Sequence, residues 1–204
     1  MSHATLTIIR DEHASLSAML RSMLMLVTRG PGDEHDTFFD VLRAMLFYID
    51  EFPEKQHHPK ESDLLFPKVV RVAPETMATV ERLEREHMNG EIAVRNLQHL
   101  LLAWELLGDG RRPAFEEAAR QYVTFYLEHM RLEEAVILPA ADKGLGAEDW
   151  LELDAAFDTN RDPLKPGGVQ DPCYDRLFAR IVLNAPAPIG LGPSSQERRH
   201  ASVG

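Results

Sequence analysis

Apolar residues recur at helical spacing along four long segments of the chain. These segments span about 5–27, 36–68, 74–107 and 113–143, and each places an apolar stripe on one helical face. Glycine and proline separate them, so the connections are short and neighbouring helices should be antiparallel. Pro53 should kink or restart the second helix. The pattern predicts an all-α protein, an up-down-up-down four-helix bundle.

The last part of the chain has a different character. Residues 1–145 are predicted to form the bundle, and residues 146–204 a C-terminal extension of helical and extended segments. We expect short helices at 150–157 and 174–183, with a loop at 163–171 between them. After residue 184 the chain is rich in proline and glycine, which predicts an extended and finally disordered tail.

Composition narrows the class of protein. With 44% hydrophobic and 27% charged residues, the chain of 204 residues is typical of a soluble globular protein. The net charge of −11 argues against nucleic acid as a partner, since phosphate binding requires a basic face. No segment approaches the roughly 20 apolar residues of a membrane span, and the N-terminus does not resemble a secretory signal. Cys173 is the only cysteine, which excludes an intrachain disulfide and fits a cytoplasmic location.

One small motif, a histidine followed four residues later by a glutamate, occurs on three different predicted helices. Residues four apart lie on the same helical face, and each pair continues an apolar stripe, so the side chains should point into the bundle. The first helix adds a histidine in the middle of its own stripe. The candidate metal ligands are therefore His13, His57, Glu61, His87, Glu91, His129 and Glu133.

The predicted burial of these glutamates indicates that the site binds cations. A single such pair arises often by chance as an exposed histidine beside a solvated glutamate. Three pairs on separate core stripes would instead bury three carboxylates, each at a cost of several kcal/mol unless a cation compensates it. Imidazole and carboxylate ligands without thiolate suit iron, manganese or zinc. Seven ligands exceed what one tetrahedral zinc accepts, so two ions sharing bridging carboxylates are predicted.

Two stretches resemble the signatures of the hemerythrin-like HHE family. They are HHPKESDLLFP at 57–67 and HMRLEE at 129–134, the latter followed by Leu138 and Pro139. The resemblance covers roughly residues 5–142. It implies a cofactor of two iron ions, oxo- or hydroxo-bridged, for which manganese or zinc could substitute. It further implies that Glu61 and Glu133 bridge the ions, with His57 and His129 as terminal ligands and His13 and His87 completing the set.

One position departs from the family's oxygen carriers, whose third helix supplies two histidines four residues apart. Here the second is Glu91, and a third carboxylate should stabilise ferric iron and favour oxidation chemistry or iron handling over reversible oxygen storage. Two roles remain open for Glu91, a metal ligand or an acceptor that orients His87. His58 is turned about 100° from His57 and is assigned to a supporting or surface role. Several acidic residues adjoin candidate ligands but should face away from them, most of them into solvent: Asp11, Glu12, Glu86, Glu128 and Glu134.

The resemblance implies a non-haem di-iron protein that binds or reacts with oxygen, peroxide or nitric oxide. It would act in the response to oxidative or nitrosative stress. Peroxide decomposition, as in a catalase, and oxidase activity are both open to such a site. The alternative is a protein that sequesters iron, or senses metal or oxygen, without turnover. In that case the 146–204 extension would dock a protein partner or report metal occupancy. The sequence does not choose among enzyme, carrier and sensor, and it does not define an oligomeric state.

Overall fold

A computed structural model describes residues 3–160, 164 and 174–192. These residues form helices and most of the turns between them, with no strand among them. The α-helices are α1 (Ala4–Arg29), α2 (His35–Ile49), α3 (His58–Lys60), α4 (Phe66–Val72), α5 (Met77–Leu107), α6 (Arg112–Leu132), α7 (Leu138–Gly144), α8 (Ala147–Phe157) and α9 (Asp175–Asn184). Short 3₁₀ turns at Pro74–Thr76 and Asp109–Arg111 precede α5 and α6. The predicted all-α fold is confirmed.

Three wide, π-helical turns join α-helices into longer rods. They are π1 (Asp50–His57), π2 (Glu61–Leu65) and π3 (Glu133–Ile137). The bundle therefore consists of rod 1 (α1), rod 2 (α2 through α4), rod 3 (α5) and rod 4 (α6 through α7). Pro53 lies inside π1, where the wide turn accommodates a residue without a backbone N–H, and rod 2 continues through it. Such π-turns often occur at functional sites.

The apolar core is divided into two clusters by a layer of buried polar side chains. On rod 1, Ile9 belongs to one cluster and Leu16 to the other, with His13 between them. Rod 3 repeats the arrangement, with His87 between Leu83 and Val94. The apolar clusters above and below thus hold the polar layer at a fixed height in the bundle and shield it from water.

The C-terminal extension packs against the bundle. Trp150, Leu153 and Phe157 of α8 are buried in the same core cluster as Ile9, and Ile181 of α9 is buried in the other. The two short helices expected at 150–157 and 174–183 are thereby confirmed. The predicted loop at 163–171, apart from residue 164, and the tail from 193 onward lie outside the described residues. The domain boundary at 145/146 stays a prediction.

None of the described helices combines the length and apolar character that a bilayer-spanning segment requires.

Candidate metal centre

The polar layer brings together six of the seven predicted side chains, and adds His58. All seven members of this cluster are buried: His13, His57, His58, Glu61, His87, His129 and Glu133. Glu61 is reached from two sides, because Nε2 of His57 lies 3.1 Å from its Oε1 and Nε2 of His87 lies 3.5 Å from its Oε2. The two oxygens of one carboxylate therefore face different imidazoles.

Glu133 occupies a matching position. Nε2 of His13 lies 3.2 Å from its Oε2, and Nε2 of His129 lies 3.2 Å from its Oε1. We call the donors on the first side group A, namely His13, His57 and Glu61, and those on the second side group B, namely His58, Glu61, His87 and His129. Within each group the donor atoms lie within 4.8 Å of one another. Glu61 belongs to both groups.

The carboxylate oxygens at the centre have no hydrogen-bond partner among the described residues. This holds for both oxygens of Glu61, both oxygens of Glu133 and Nε2 of His57, all of them buried. Leaving a buried polar atom unsatisfied costs about 1–3 kcal/mol, and more when the group is charged. Divalent cations between the carboxylates would remove that cost. The donor set of imidazole and carboxylate also fits iron, so the residues present fit two metal ions.

The imidazole rings are held from outside by a circuit of hydrogen bonds. In each of four pairs, the supporting side chain lies on one rod and the Nδ1 of the histidine lies on the next. The distances are 2.6 Å for Glu12 and His57, 3.0 Å for Ser62 and His87, 2.9 Å for Glu86 and His129, and 3.0 Å for Glu134 and His13. Such partners orient a ring so that its other nitrogen faces the metal, and they raise its basicity.

His58 is held within its own rod. Its Nδ1 lies 3.1 Å from Oε2 of Glu54, one turn earlier, and its ring stacks on that of His87 at 4.1 Å between centroids. The other oxygen of Glu54 accepts hydrogen bonds from the hydroxyls of Tyr122 and Tyr126. Burial, reinforced by the neighbouring histidines, holds the pKa of His58 well below its usual range. The ring is therefore neutral, the form in which imidazole binds a metal.

Residues 4–141, well over half of the chain, match the family model described as the hemerythrin HHE cation binding domain. The chain belongs to this family. The HHE domain binds metal ions, typically iron, and the cluster of histidine and glutamate described above lies within the matched residues. No curated protein matches the chain at a significant level.

Neighbouring carboxylates favour the protonated form of two cluster histidines when no metal is bound. Burial by itself lowers the pKa of His129, but Glu133 and Glu86 outweigh it and raise that pKa to about 10. The pKa of His57 is likewise raised well above its usual range, against burial, by Glu61 and Glu12. Metal loading must displace these protons, because only neutral imidazole binds a metal ion.

Glu91 does not lie in the cluster. Its side chain is 47% exposed and its carboxylate pairs with Arg95 at 2.5 Å, which corrects the expectation that it faces the interior. After His87 the buried stripe of rod 3 advances by three residues to Gly90 and not by four. A Cβ at Gly90 would lie 2.3 Å from the hydroxyl of Tyr126, so any side chain there would displace that buried tyrosine. Steps of three and four alternate along this α-helix, which puts Glu91 one position outside the buried face.

We expect Glu91→Ala to leave metal binding unchanged. The exposed pair with Arg95 contributes at most about 1 kcal/mol to stability, and the carboxylate does not reach the cluster. Metal content after anaerobic reconstitution, together with the absorption spectrum, should match wild type. Loss of one ion from the variant would contradict the placement of Glu91.

The sequence did not predict the supporting role of Glu12, Glu86 and Glu134, which were expected to face away from the cluster. Each precedes or follows a cluster residue by one position and is therefore turned about 100° from it, toward the neighbouring rod. There the carboxylate meets the histidine of that rod. An acidic residue directly adjoining a candidate ligand is the only signal in the sequence.

A pocket of about 390 Å³, partly open to solvent, lies beside group A. Its walls are mainly apolar, and its polar members are Glu12, Gln56 and Asn160 together with the cluster histidines. The lining residues are Glu12, His13, Leu16, Tyr48, Phe52, Pro53, Gln56, His57, His58, Met130 and Asn160. The HHE domain thus offers a small, largely apolar chamber next to three candidate ligands.

Proposed function

We propose that the HHE domain of this chain holds two iron ions in the cluster and binds or reacts with oxygen, peroxide or nitric oxide there. The observation that carries the proposal is the set of four buried carboxylate oxygens that, among the described residues, face only the imidazole nitrogens of the cluster. A pair of cations bridged by Glu61 and Glu133 would neutralise both acids. Glu91 has no part in this ligand set.

The two positions would differ in their number of protein ligands. Group A supplies His13 and His57, whereas group B supplies three imidazoles, and each side receives one oxygen from each bridging acid. That makes four donors for A and five for B. An iron ion accepts up to about six, so position A has more room for an external ligand. When bound, the iron pair supplies the electrons that reduce oxygen or peroxide.

The largely apolar pocket lies mainly on the side of position A, whereas a second opening, beside His58 and His87, has walls that include three glutamates. The apolar space therefore supports this assignment. His13 and His57 form part of its wall, and the apolar side chains of Leu16, Phe52 and Met130 surround the remaining space. A small, largely apolar space of this kind suits a diatomic molecule or peroxide.

Iron content and absorption test the proposal. Anaerobically reconstituted protein should hold two irons per chain and, after oxidation, absorb in the near ultraviolet, with the band bleached by reductant. Addition of azide as a probe of the open position should perturb that band. Protein that remains colourless and takes up no iron would refute the proposal.

An assay of turnover distinguishes the enzymatic activities from sensing or iron sequestration. A peroxide-decomposing centre should release oxygen continuously from hydrogen peroxide, and an oxidase should consume oxygen in the presence of a reductant. A sensor or an iron-sequestering protein should instead show a single stoichiometric spectral change. Glu91→Ala serves as the matched control, because it removes a nearby carboxylate from the protein surface and should retain whichever behaviour wild type shows.

A further inference from the structure

The first helix after the family-matched residues ends beside the metal centre. The match stops at residue 141, and α8 follows at Ala147–Phe157. The ring of Phe157 lies 6.0 Å from that of His57, roughly edge to face. Three residues further on, Asn160 lines the pocket next to group A. The extension therefore reaches a candidate ligand that the bundle itself supplies.

The side-chain amide of Asn160 donates to the carboxylate of Glu12, which supports His57. Its Nδ2 donates to Oε1 of Glu12 at 2.9 Å and lies 3.0 Å from Oε2, the oxygen that also faces Nδ1 of His57 at 2.6 Å. An amide that bridges both oxygens fixes the rotation of a carboxylate as well as its position. The orientation of Glu12 then sets the plane of the His57 ring.

The amide of Asn160 is itself oriented by a residue from the ligand-bearing part of rod 2. Nζ of Lys60 donates to Oδ1 of Asn160 and, at 2.8 Å, to Oγ1 of Thr159. Because the amide oxygen is occupied by Lys60, the amide nitrogen is directed at Glu12. Lys60 lies next to Glu61 in the chain, so this contact ties the end of α8 to the cluster from a second direction.

Helix α8 is anchored firmly against the bundle, and this holds Asn160, which follows it, in place. Trp150, Leu153 and Phe157 form one buried face, and the Trp150 ring stacks on His3 at 4.0 Å. At the start of rod 1, the backbone N and the hydroxyl of Thr5 donate to Asp154 at 2.8 and 2.6 Å. Asn160 follows Phe157 by three residues, and its backbone N–H donates to the carbonyl oxygen of Phe157 at 3.0 Å.

From these contacts we infer that Asn160 is a positioning residue for the metal ion at group A, acting through Glu12 and His57. The segment from Ala147 to Asn160 then helps to position a metal ligand, although it lies beyond the matched family domain. The inference rests on the proposed function, since it presupposes two metal positions. The inference distinguishes the two metal positions. Asn160 contacts Glu12, the residue that supports His57, and has no described contact with the side chains that support the histidines of group B.

The test is an anaerobic titration of full-length, metal-free protein with cobalt(II), whose absorption reports each binding step. Wild type should bind two ions. Asn160→Ala and the equally sized Asn160→Asp, which replaces the donating amide with an acceptor, should each weaken one step about tenfold and leave the other unchanged. His57→Ala identifies the step that belongs to group A, and the weakened step should be the same one.

Thr159→Ala is the matched control, because it removes the neighbouring contact with Lys60 and with the end of α8 while sparing Glu12. It should titrate as wild type does. Three outcomes overturn the inference: unchanged titration in both Asn160 variants, equal weakening of both steps, or equal effects of Thr159→Ala and Asn160→Asp. A wild-type protein that binds fewer than two ions refutes the proposed function itself, whatever the Asn160 variants do.

Discussion

Replacing Glu61 with alanine is expected to abolish tight binding at both metal positions at once. Each of its oxygens faces a different set of imidazoles, and its side chain is fully buried with no hydrogen-bond partner among the described residues. A shared carboxylate is one ligand for each ion and also offsets the repulsion between them. Loss of a directly bound ligand should exceed the 10- to 100-fold cost typical of outer-shell substitutions, so we expect more than about 100-fold at each step.

The measurement is metal content and cobalt titration of Glu61→Ala beside His57→Ala and Glu91→Ala. His57→Ala should impair chiefly the position at group A, and Glu91→Ala neither position. Circular dichroism should show that the helices remain, because the two apolar clusters on either side of the polar layer are untouched. Retention of one tightly bound ion in Glu61→Ala would show that this carboxylate does not bridge.

Removing the metal should make the stability of the protein strongly dependent on pH. Against the effect of burial, neighbouring carboxylates raise the pKa of His13, of His57 and, to about 10, of His129. A raised pKa in the folded state contributes stability below the unfolded value of 6.5, and this contribution is lost as pH rises toward 10. The melting temperature of the metal-free protein should therefore fall between pH 6.5 and 10.

Two other groups lower the stability of the metal-free protein as the pH falls below 6.5. The pKa of His58 is held well below 6.5 by burial and by its histidine neighbours, so folded protein loses stability as pH falls below 6.5. The pKa of Glu133 is depressed, against burial, by His129 and other histidines, and its contribution is lost as pH falls below about 4.5. Stability of the metal-free protein should thus be greatest near pH 6.5.

The metal-loaded protein should lack the alkaline part of this dependence. Bound cations replace the protons on the histidines as the counter-charge of Glu61 and Glu133, so the difference in melting temperature between the two forms should widen from pH 6.5 upward. Calorimetry of both forms across this range measures it. Equal melting temperatures at every pH would mean that the buried acids need no cation.

The helical rods and most of the cluster were predictable because both follow from local periodicity. A stripe of apolar residues determines which face of a helix is buried, and His13, His57, His87 and His129 lie on such stripes. A glutamate four residues after a histidine shares its face, as Glu61 and Glu133 do. These relations need only the geometry of one helix at a time.

The remaining parts of the site depend on departures from an ideal helix. The π-helical turns on either side of α3 change which residues face the interior, so His58 is buried beside His57 although a regular helix would turn it away. Rod 3, by contrast, is an unbroken α-helix, and the ordinary alternation of steps of three and four puts Gly90 on the buried face and leaves Glu91 partly exposed. The π-helical turns of rod 2 are not encoded in the spacing of its residues.

By itself, then, the sequence determined four rods with acids and imidazoles on their buried faces, since burial of apolar stripes is a property of each segment. Only the tertiary structure decided which carboxylate supports which ring. Glu12, Glu86 and Glu134 act on histidines of other rods, and Asn160 contacts Glu12 although 148 positions separate them in the chain. Contacts between distant segments depend on how the rods pack, and no local pattern records that.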